Sequence, residues 1–520
     1  MNNGRICVSV CAETADELIE NIERAEKLAD VIELRCDCLR AEEMEKGLSK
    51  TLAKKCAKPF LITFRPKKEG GKRDLSLRER IKFWERLFFQ NKPKDLLVDV
   101  EIDLHSILNL KSTKSILSFH DFLGVHDNLP AHFEIYQKTT NADILKFAVQ
   151  ADDITDSIAV WKLLETARAE NKLLVPIAMG EGGKWTRILG LAHGAPMTYA
   201  ALETGEETAL GQITARDLTE TYRVKKLNER TEIYGVVGSA VAQSLSPFMH
   251  NAAFQFYNLD AVYIPFAVKN LDEFIKKFIR EKTREVRLNF KGFSVTIPHK
   301  QAIIRHLDFL DETAQKIGAV NTVKIENGKL CGFNTDAEGF IAPLRYAYGN
   351  LQNAKAAVFG SGGAARACIY ALKNAGATVT IFVRDLKKAN SLVEDFDVEL
   401  KELPKSENQK ITADFKDFDI LVNAAPLGTK GELEMQTPAV AAQLENVKLV
   451  YDLIYNPLET VFIKEARKAN VPTVGGLAML VAQGARQFEI WTGEDAPTKE
   501  MSAAALKNFR FRIPNSKLES

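Results

Sequence analysis

The 520-residue sequence predicts two α/β bodies in one chain: an eight-stranded parallel α/β barrel, then a two-lobed, doubly wound α/β region. Three observations carry this. Short apolar runs alternate with amphipathic stretches through about the first 220 residues. A polar, charged stretch, TYRVKKLNERT (Thr221–Thr231), then interrupts the rhythm. Beyond it strand signals resume, and KAAVFGSGGAARACIYAL reads as a strand, a glycine-rich turn and a helix.

The expected barrel strands are Ile6–Val10, Val31–Leu34, Phe60–Phe64, Leu96–Val100, Ser115–Phe119, Ile144–Ala148, Leu174–Ile177 and Met197–Ala201. Helical stretches such as Thr14–Leu28 and Leu77–Phe89 lie between them, the pattern of a (β/α)8 TIM barrel. Thr221–Thr231 reads as a linker. Strand signals return at Ile233–Val237, a second α/β region runs to about Asp336, and a third opens with Ala356–Phe359. The helical segment 477–510 is expected to fold back on the second region. The resulting partition is 1–222, 232–336 completed by 477–510, and a Rossmann domain over 337–476. At roughly 150 residues per domain, three or four domains fit this length.

Composition excludes several classes. Apolar residues make up 46%, charged residues 27%, and the formal net charge is +1. Neither nucleic acid nor an acidic membrane is indicated as a partner. No apolar run is long enough to span a bilayer. The opening MNNGRICVSV reads as a strand rather than a signal or transit segment, so a cytoplasmic protein is expected. The cysteines are Cys7, Cys11, Cys36, Cys38, Cys56, Cys331 and Cys368, without a pair of zinc-type CxxC motifs. No metal is expected, and the odd count favours a reducing compartment over a disulfide scaffold.

The sharpest chemical feature of the first half is Lys146, in the apolar strand ADILKFAVQ. Desolvation favours a neutral amine, which attacks a ketone to form a Schiff base. A lysine reaching solvent from a strand end is the bland alternative. His120 ends the preceding strand in SILSFHDF, where barrel enzymes place catalysis; a hydrogen-bonded core histidine is its ordinary reading. Alternation puts Glu33, Arg35 and Asp37 of VIELRCDC on one face, as a polar pocket or a structural ion-pair network. TFRPKKEGG supplies Arg65 and Glu69, WTRILG supplies Arg187, and TALGQIT supplies Thr208 and Gln212. Arginines converging on one mouth imply an anionic substrate, most simply a carboxylate.

ELRCD, TFRPKKEGG, FHDF, DILKFAV, TRILG and ALGQ stand in the order and spacing of type I 3-dehydroquinate dehydratases. Nearly all of residues 1–220 resembles that family. The resemblance implies that Lys146 forms the imine, which acts as an electron sink. It implies that His120 moves the proton and helps water leave, with Glu69 supporting that histidine. Glu33, Arg35, Arg65, Arg187, Thr208 and Gln212 match substrate-binding positions, Thr208 standing where bacterial members carry serine.

In the second half, Gly360, Gly362 and Ala365 fill the GxGxxG/A positions, with Ser361, Gly363 and Ala364 completing the turn. The first glycine permits the tight turn, the second admits a pyrophosphate, and the small third residue lets helix and strand pack. The following strand, ATVTIFV, ends at Arg384, with Lys387 and Lys388 behind it. An arginine there suits the 2′-phosphate of NADP, while Asp385 keeps NAD open. Upstream, Ser244 and Ser246 precede Pro247 as polyol contacts or helix caps. FSVTIPHK ends at Lys300, and GFNTDAEG carries Asp336. A lysine and an aspartate together suit proton delivery to a ketone receiving hydride; a surface salt bridge is the alternative.

SLSP, VTIPHK, AVNT, the Asn334–Asp336 triplet, GSGGAA, YDLIYNP and GGLAMLVAQ resemble shikimate dehydrogenases, in order over roughly 232–510. The resemblance implies that Lys300 and Asp336 are the catalytic pair. It implies that Ser244, Ser246, Thr296, Asn321, Tyr455 and Gln483 contact shikimate. Arg384 and Lys388 are then expected to clamp the 2′-phosphate of NADP, with Gly476 near the nicotinamide. Ser294 departs from the bacterial asparagine but matches the fused plant-type enzymes. The two resemblances together imply consecutive steps: 3-dehydroquinate to 3-dehydroshikimate, then to shikimate, with small-molecule partners only. Three rivals remain: a quinate preference, a non-catalytic metabolite sensor, and an aldolase-like barrel fused to a generic reductase.

Overall fold

The computed structural model describes residues 2–89, 96–105, 107, 108, 110, 113–124, 128–403 and 415–511. They form two compact units, Met1–Pro247 with Asp260–Phe290, and Phe248–Leu259 with Lys291–Ser520.

The first unit holds β1 (Arg5–Val10), β2 (Val31–Arg35), β3 (Phe60–Thr63), β4 (Leu97–Glu101), β5 (Lys114–Asp121), β6 (Ile144–Gln150), β7 (Leu174–Met179) and β8 (Met197–Ala201). Each lies within two residues of its expected ends. Parallel ladders run β7-β6-β5-β4-β3-β2-β1-β8, with the short β9 (Ile213–Thr214) beside β8. Among the described residues no ladder joins β7 to β8. Side chains complete the ring: Cys7, Val31, Leu61, Leu97, Ile116, Ile144, Val175 and Met197, one per strand, share a single buried cluster. Because strand side chains alternate, the next inward positions toward the C-terminal ends carry the polar groups described below.

Local chemistry sets the surrounding helices. The first, Ala15–Glu26, is capped by Thr14, whose side chain accepts from the Glu17 N–H, and it buries Leu18, Ile22 and Ala25. Thr221–Thr231 is not a free tether. Lys226, Glu229 and Arg230 are exposed, but Tyr222, Val224 and Leu227 are buried, and Asn2 Nδ2 donates to the carbonyls of Val224 and Leu227 at 2.8 and 3.0 Å. In the same unit β10 (Glu232–Gly238) pairs in parallel with β11 (Ala261–Ala267). This segment packs against barrel residues: the Lys269 N–H donates to Asp153 at 2.6 Å, and Trp185 meets Phe278 edge-on at 5.8 Å.

The second unit contains β12 (Gly292–Val295), β13 (Phe309–Leu310), β14 (Thr322–Glu326) and β15 (Lys329–Phe333), adjacent in the order β12-β14-β15-β13. It also contains β16 (Lys355–Phe359), β17 (Thr378–Val383), β18 (Glu399–Glu402), β19 (Ile420–Asn423), β20 (Leu449–Asp452) and β21 (Thr473–Gly475). These six are parallel in the order β18-β17-β16-β19-β20-β21, the 3-2-1-4-5-6 arrangement of a Rossmann sheet. Both faces are covered. Ala356 and Val358 of β16 enter one apolar cluster, and Ala357 and Phe359 enter the other. The crevice at the topological switch lies between β16 and β19. Helix Gly476–Thr492 returns to the β12–β15 sheet, where Trp491 Nε1 donates to the Val323 carbonyl at 3.0 Å.

One cysteine pair departs from the expectation of unpaired thiols. Cys11 and Cys38 form a disulfide with Cα atoms 5.5 Å apart, and Cys7, Cys36, Cys56, Cys331 and Cys368 are free. The parallel ladder that sets Val10 against Leu34 brings the segments after β1 and β2 together. No helix among the described residues is long and apolar enough to cross a membrane.

Candidate active sites

The C-terminal ends of the barrel strands enclose a cavity of about 650 Å³. Glu33, Arg35, Arg65, Glu69, His120, Lys146, Arg187, Thr208 and Gln212 all line it, from six different strand ends or the loops after them. Lys146 shares the inward face of β6 with Ile144 and Ala148, while Phe147 points outward into a cluster with Phe119, Phe133 and Tyr136. Lys146 is 5% exposed, and its Nζ donates to Asp99 Oδ2 at 2.7 Å. Asp99 also meets Arg65 Nη2 at 2.8 Å and accepts from Ser118 Oγ. Burial works against the Asp99 charge, but Arg65 and Lys146 overcome it and hold the carboxyl well below the usual range.

Asp99 and Glu101 were missed in the sequence. Glu101 bridges Arg65 Nη1 at 2.8 Å and Arg80 Nη1 at 2.9 Å, all buried. The available signal was the alternation in β4, where apolar Leu97, Val98 and Val100 interleave with two acids of one parity. Asp37 is a correction. It leaves the strand and sits in the turn Cys36–Cys38, so it does not share the inward face of Glu33 and Arg35. It grips Arg35 with two bonds, at 2.9 and 2.8 Å, and accepts from the Lys72 N–H at 3.0 Å.

Two of the three expected substrate arginines are therefore already paired with acids. Arg187 differs. It is 2% exposed and, among the described residues, donates only to the Leu210 carbonyl at 3.3 Å, its Nε and Nη1 having no hydrogen-bond partner there. Burial lowers its pKa to about 10, so it remains cationic at neutral pH. An unpaired buried guanidinium is costly unless an anion completes it. Glu33 is occupied by Ser9 and by Thr63 at 2.8 Å.

His120 Nδ1 lies 3.2 Å from Glu69 Oε2. Burial, then the Arg65 and Lys146 charges, depress its pKa well below the ordinary value, so the ring is neutral at neutral pH. Burial raises the Glu69 carboxyl. Across the mouth, Gln212 Oε1 accepts from the Thr208 N–H at 2.7 Å. The turn between them needs Gly211: φ is +73°, and a Cβ there would stand 2.4 Å from the Gly180 carbonyl oxygen.

In the second unit, Lys300 is ion-paired to Asp336 Oδ2. The Val320 N–H holds the Lys300 carbonyl at 2.8 Å. Asn321 Nδ2 reaches Thr335 Oγ1 and Asp336 Oδ1 at 2.9 Å each, and Gln483 Oε1 at 3.3 Å. Gln487, absent from the sequence reading, is 1% exposed and ties Ser294 to Thr322, at 2.8 and 3.0 Å. Lys300, Asp336, Asn321 and Gln483 thus form one connected cluster. Thr296 is half-buried four residues before Lys300, and Tyr455 is half-buried after β20. Ser244 and Ser246 belong to the first unit, where the Ser246 N–H donates to Ser244 Oγ at 3.2 Å.

The glycine turn follows β16 directly. Gly360 has φ +119°, and a Cβ there would lie 2.8 Å from the Ala424 carbonyl oxygen across the switch crevice. A Cβ at Gly362 would meet nothing within 4 Å, so open space stands before the helix Gly363–Asn374. Ala365 is fully buried beneath the turn, and Ser361 is exposed. This arrangement fits a pyrophosphate at a helix N-terminus. Gly363 faces Lys300, whose Cβ would be 3.0 Å from a Cβ added there, so the turn adjoins the Lys300–Asp336 cluster. Ala364 is half-buried behind it. Gly476 is packed under the Leu453 carbonyl, which a Cβ would approach to 2.2 Å. Arg384 is exposed at the end of β17, and the Lys388 side chain lies outside the described residues.

Comparison with known proteins follows the same division. The family model for type I 3-dehydroquinase matches residues 6–229. The model for the shikimate dehydrogenase substrate binding domain matches 236–323. That for the shikimate 5′-dehydrogenase C-terminal domain matches 476–506. A chloroplastic bifunctional 3-dehydroquinate dehydratase/shikimate dehydrogenase of Arabidopsis thaliana is 31% identical over 522 aligned residues, covering 95% of this chain and 83% of that protein. A shikimate dehydrogenase (NADP(+)) of Methanococcus maripaludis is 39% identical over 284 residues, covering 55% of this chain and 100% of the relative. A crystal structure of a shikimate dehydrogenase in complex with NADP+ aligns with TM-score 0.49 at 37% identity, over 54% of this chain and 97% of that one. On its sequence matches, and above all the relative spanning 95% of its length, this chain belongs to the family of bifunctional 3-dehydroquinate dehydratase/shikimate dehydrogenases.

Proposed function

We propose that the barrel dehydrates 3-dehydroquinate to 3-dehydroshikimate through a Schiff base on Lys146, and that the second half reduces that product to shikimate with NADPH. The observation that carries the first step is the buried Lys146 on the wall of a cavity that also holds Arg187, whose Nε and Nη1 are unpaired among the described residues. Arg187 takes the substrate carboxylate in a charge-assisted pair. The Lys146 amine, having passed its proton to the site, attacks the ketone carbon, and the carbonyl oxygen leaves as water, giving a cationic imine. His120 is neutral. With Nδ1–H turned to Glu69, it presents Nε2 as a base to the carbon beside the imine. The electron pair released there flows into the C=N bond. It returns to expel the hydroxyl, which leaves as water with the proton His120 took. Hydrolysis of the imine restores Lys146 and frees 3-dehydroshikimate. Thr208 and Gln212 close the mouth, and Glu33, Arg35 and Arg65 shape the polar wall.

For the second step, NADPH bound at Gly360–Ala365 supplies the hydride. Lys300 donates the proton to the forming alkoxide, and Asp336 orients it. Asn321 holds Asp336 and is itself tied to Gln483, and both present amides to the polyol, with Thr296 and Tyr455 completing the substrate contacts. Arg384 and Lys388 take the 2′-phosphate, and Gly476 lies near the nicotinamide. This reading goes with folding domains at 1–222, 232–336 with 477–510, and 337–476, and with a cytoplasmic enzyme of small-molecule partners. The test is a one-pot assay with 3-dehydroquinate and NADPH. NADPH loss with shikimate formed is expected. Constant NADPH followed by reduction of added dehydroshikimate would overturn the barrel assignment, and no reduction even then would overturn the dehydrogenase assignment.

A further inference from the structure

Tyr199 has no part in the reaction derived above, yet it touches the nitrogen on which that reaction turns. It lies on the inward face of β8, is 3% exposed, and lines the cavity. Its ring presents a face to Lys146, whose Nζ stands 4.6 Å from the centroid. Asp99 holds the same nitrogen from β4, at 2.7 Å. Lys146 reaches inward from β6, so its nitrogen is held by a carboxylate from one strand and a π face from another.

The oxygen of Tyr199 contributes nothing visible to this. It is buried without a hydrogen-bond partner among the described residues. Burial, then the neighbouring carboxylates, push the phenol pKa well above its ordinary value, so the side chain stays neutral. What remains is the ring. A positive charge over an aromatic face is stabilised by the ring quadrupole, and more strongly where water is excluded. The imine carries its charge on the Lys146 nitrogen, loses it when the adjacent proton leaves, and regains it when the hydroxyl departs.

We propose that Tyr199 is a positioning residue of the dehydratase site, whose ring face holds the Lys146 nitrogen in place and stabilises the cationic imine formed there. The inference rests on Lys146 as the imine-forming residue. A ring that favours the charged imine over neutral bound substrate acts on turnover rather than on capture.

The experiment compares the full-length wild type with Tyr199→Phe, Tyr199→Leu and Tyr199→Met, using 3-dehydroquinate. It reads kcat and KM together with borohydride trapping of the Lys146 peptide by mass spectrometry. Phe is expected to keep kcat within about twofold, because it keeps the ring. Leu and Met are expected to lose about tenfold or more in kcat with KM within about threefold, and to show less trapped adduct at saturating substrate. Wild-type kcat in folded Leu or Met variants would overturn the proposal. So would a tenfold loss in Phe, which removes only the hydroxyl and tests the ring even if the other two fail to fold. Absence of any adduct on Lys146 in the wild type would instead overturn the underlying assignment of that lysine.

Discussion

Lys146 Nζ lies 2.7 Å from Asp99 Oδ2, and the two residues are 5% and 1% exposed. The proposed nucleophile is therefore held as one member of a buried ion pair that Arg65 extends on the far side of Asp99. Breaking such a pair from one side leaves a buried charge uncompensated, at a cost of about 3–5 kcal/mol. Asp99→Asn is accordingly expected to lower dehydratase kcat at least about tenfold and to reduce stability by an amount of that order. The reductase rate of the same chain should stay unchanged. Steady-state assays of both reactions with a denaturant titration decide it, and undiminished dehydration would show that the pair is dispensable.

The acid limb of the dehydratase should fall well below the usual histidine range. His120 is kept neutral first by burial and then by the Arg65 and Lys146 charges. A depressed pKa means the base form persists as pH drops through 6.5, and activity is lost only at more acid pH. A profile of kcat/KM against pH reads this directly, and an acid limb centred at or above 6.5 would contradict it.

Lys300→Ala should separate the two reactions. Loss of a positioned proton donor typically costs about 10²–10⁴-fold, so dehydroshikimate reduction should fall by that order while dehydration proceeds normally. A reductase rate equal to wild type would remove Lys300 from the mechanism.

Arg384 stands exposed at the end of β17, where the ribose of a dinucleotide is reached. Arg384→Ala is expected to raise KM for NADPH roughly tenfold and leave the value for NADH nearly unaltered. Equal effects on both cofactors would assign the arginine a structural role instead.

The Cys11–Cys38 disulfide closes a loop of 27 residues around β2. Its reduction, or Cys38→Ser, should destabilise the barrel by about 3 kcal/mol. It should also weaken dehydroquinate binding, because the neighbouring Asp37 holds Arg35. Denaturant unfolding with and without dithiothreitol measures the first effect and KM the second. Cys56→Ser, which leaves the bridge intact, should alter neither.

The barrel strands, the Rossmann turn and the two lysines were all legible in the linear sequence, because each is written in local chemistry. Apolar runs of strand length specify β6 and β16. A charged residue inside such a run marks Lys146, and glycines at fixed spacing mark a turn that only a residue without Cβ permits at Gly360. Pairing is not local. Asp99 looked ordinary until β4 placed it against a lysine 47 residues away. Asp37 looked inward until the chain turned after Arg35. Three arginines looked equivalent until buried carboxylates occupied Arg35 and Arg65 and left Arg187 with open nitrogens. Cys11 and Cys38 became a bridge only when parallel strands aligned their ends. Sequence by itself determined which elements form and which residue types reach the site. Tertiary structure decided which charges are spent on one another and which stay open for a ligand, since inside a protein the worth of a charge depends on what lies within a few ångströms of it.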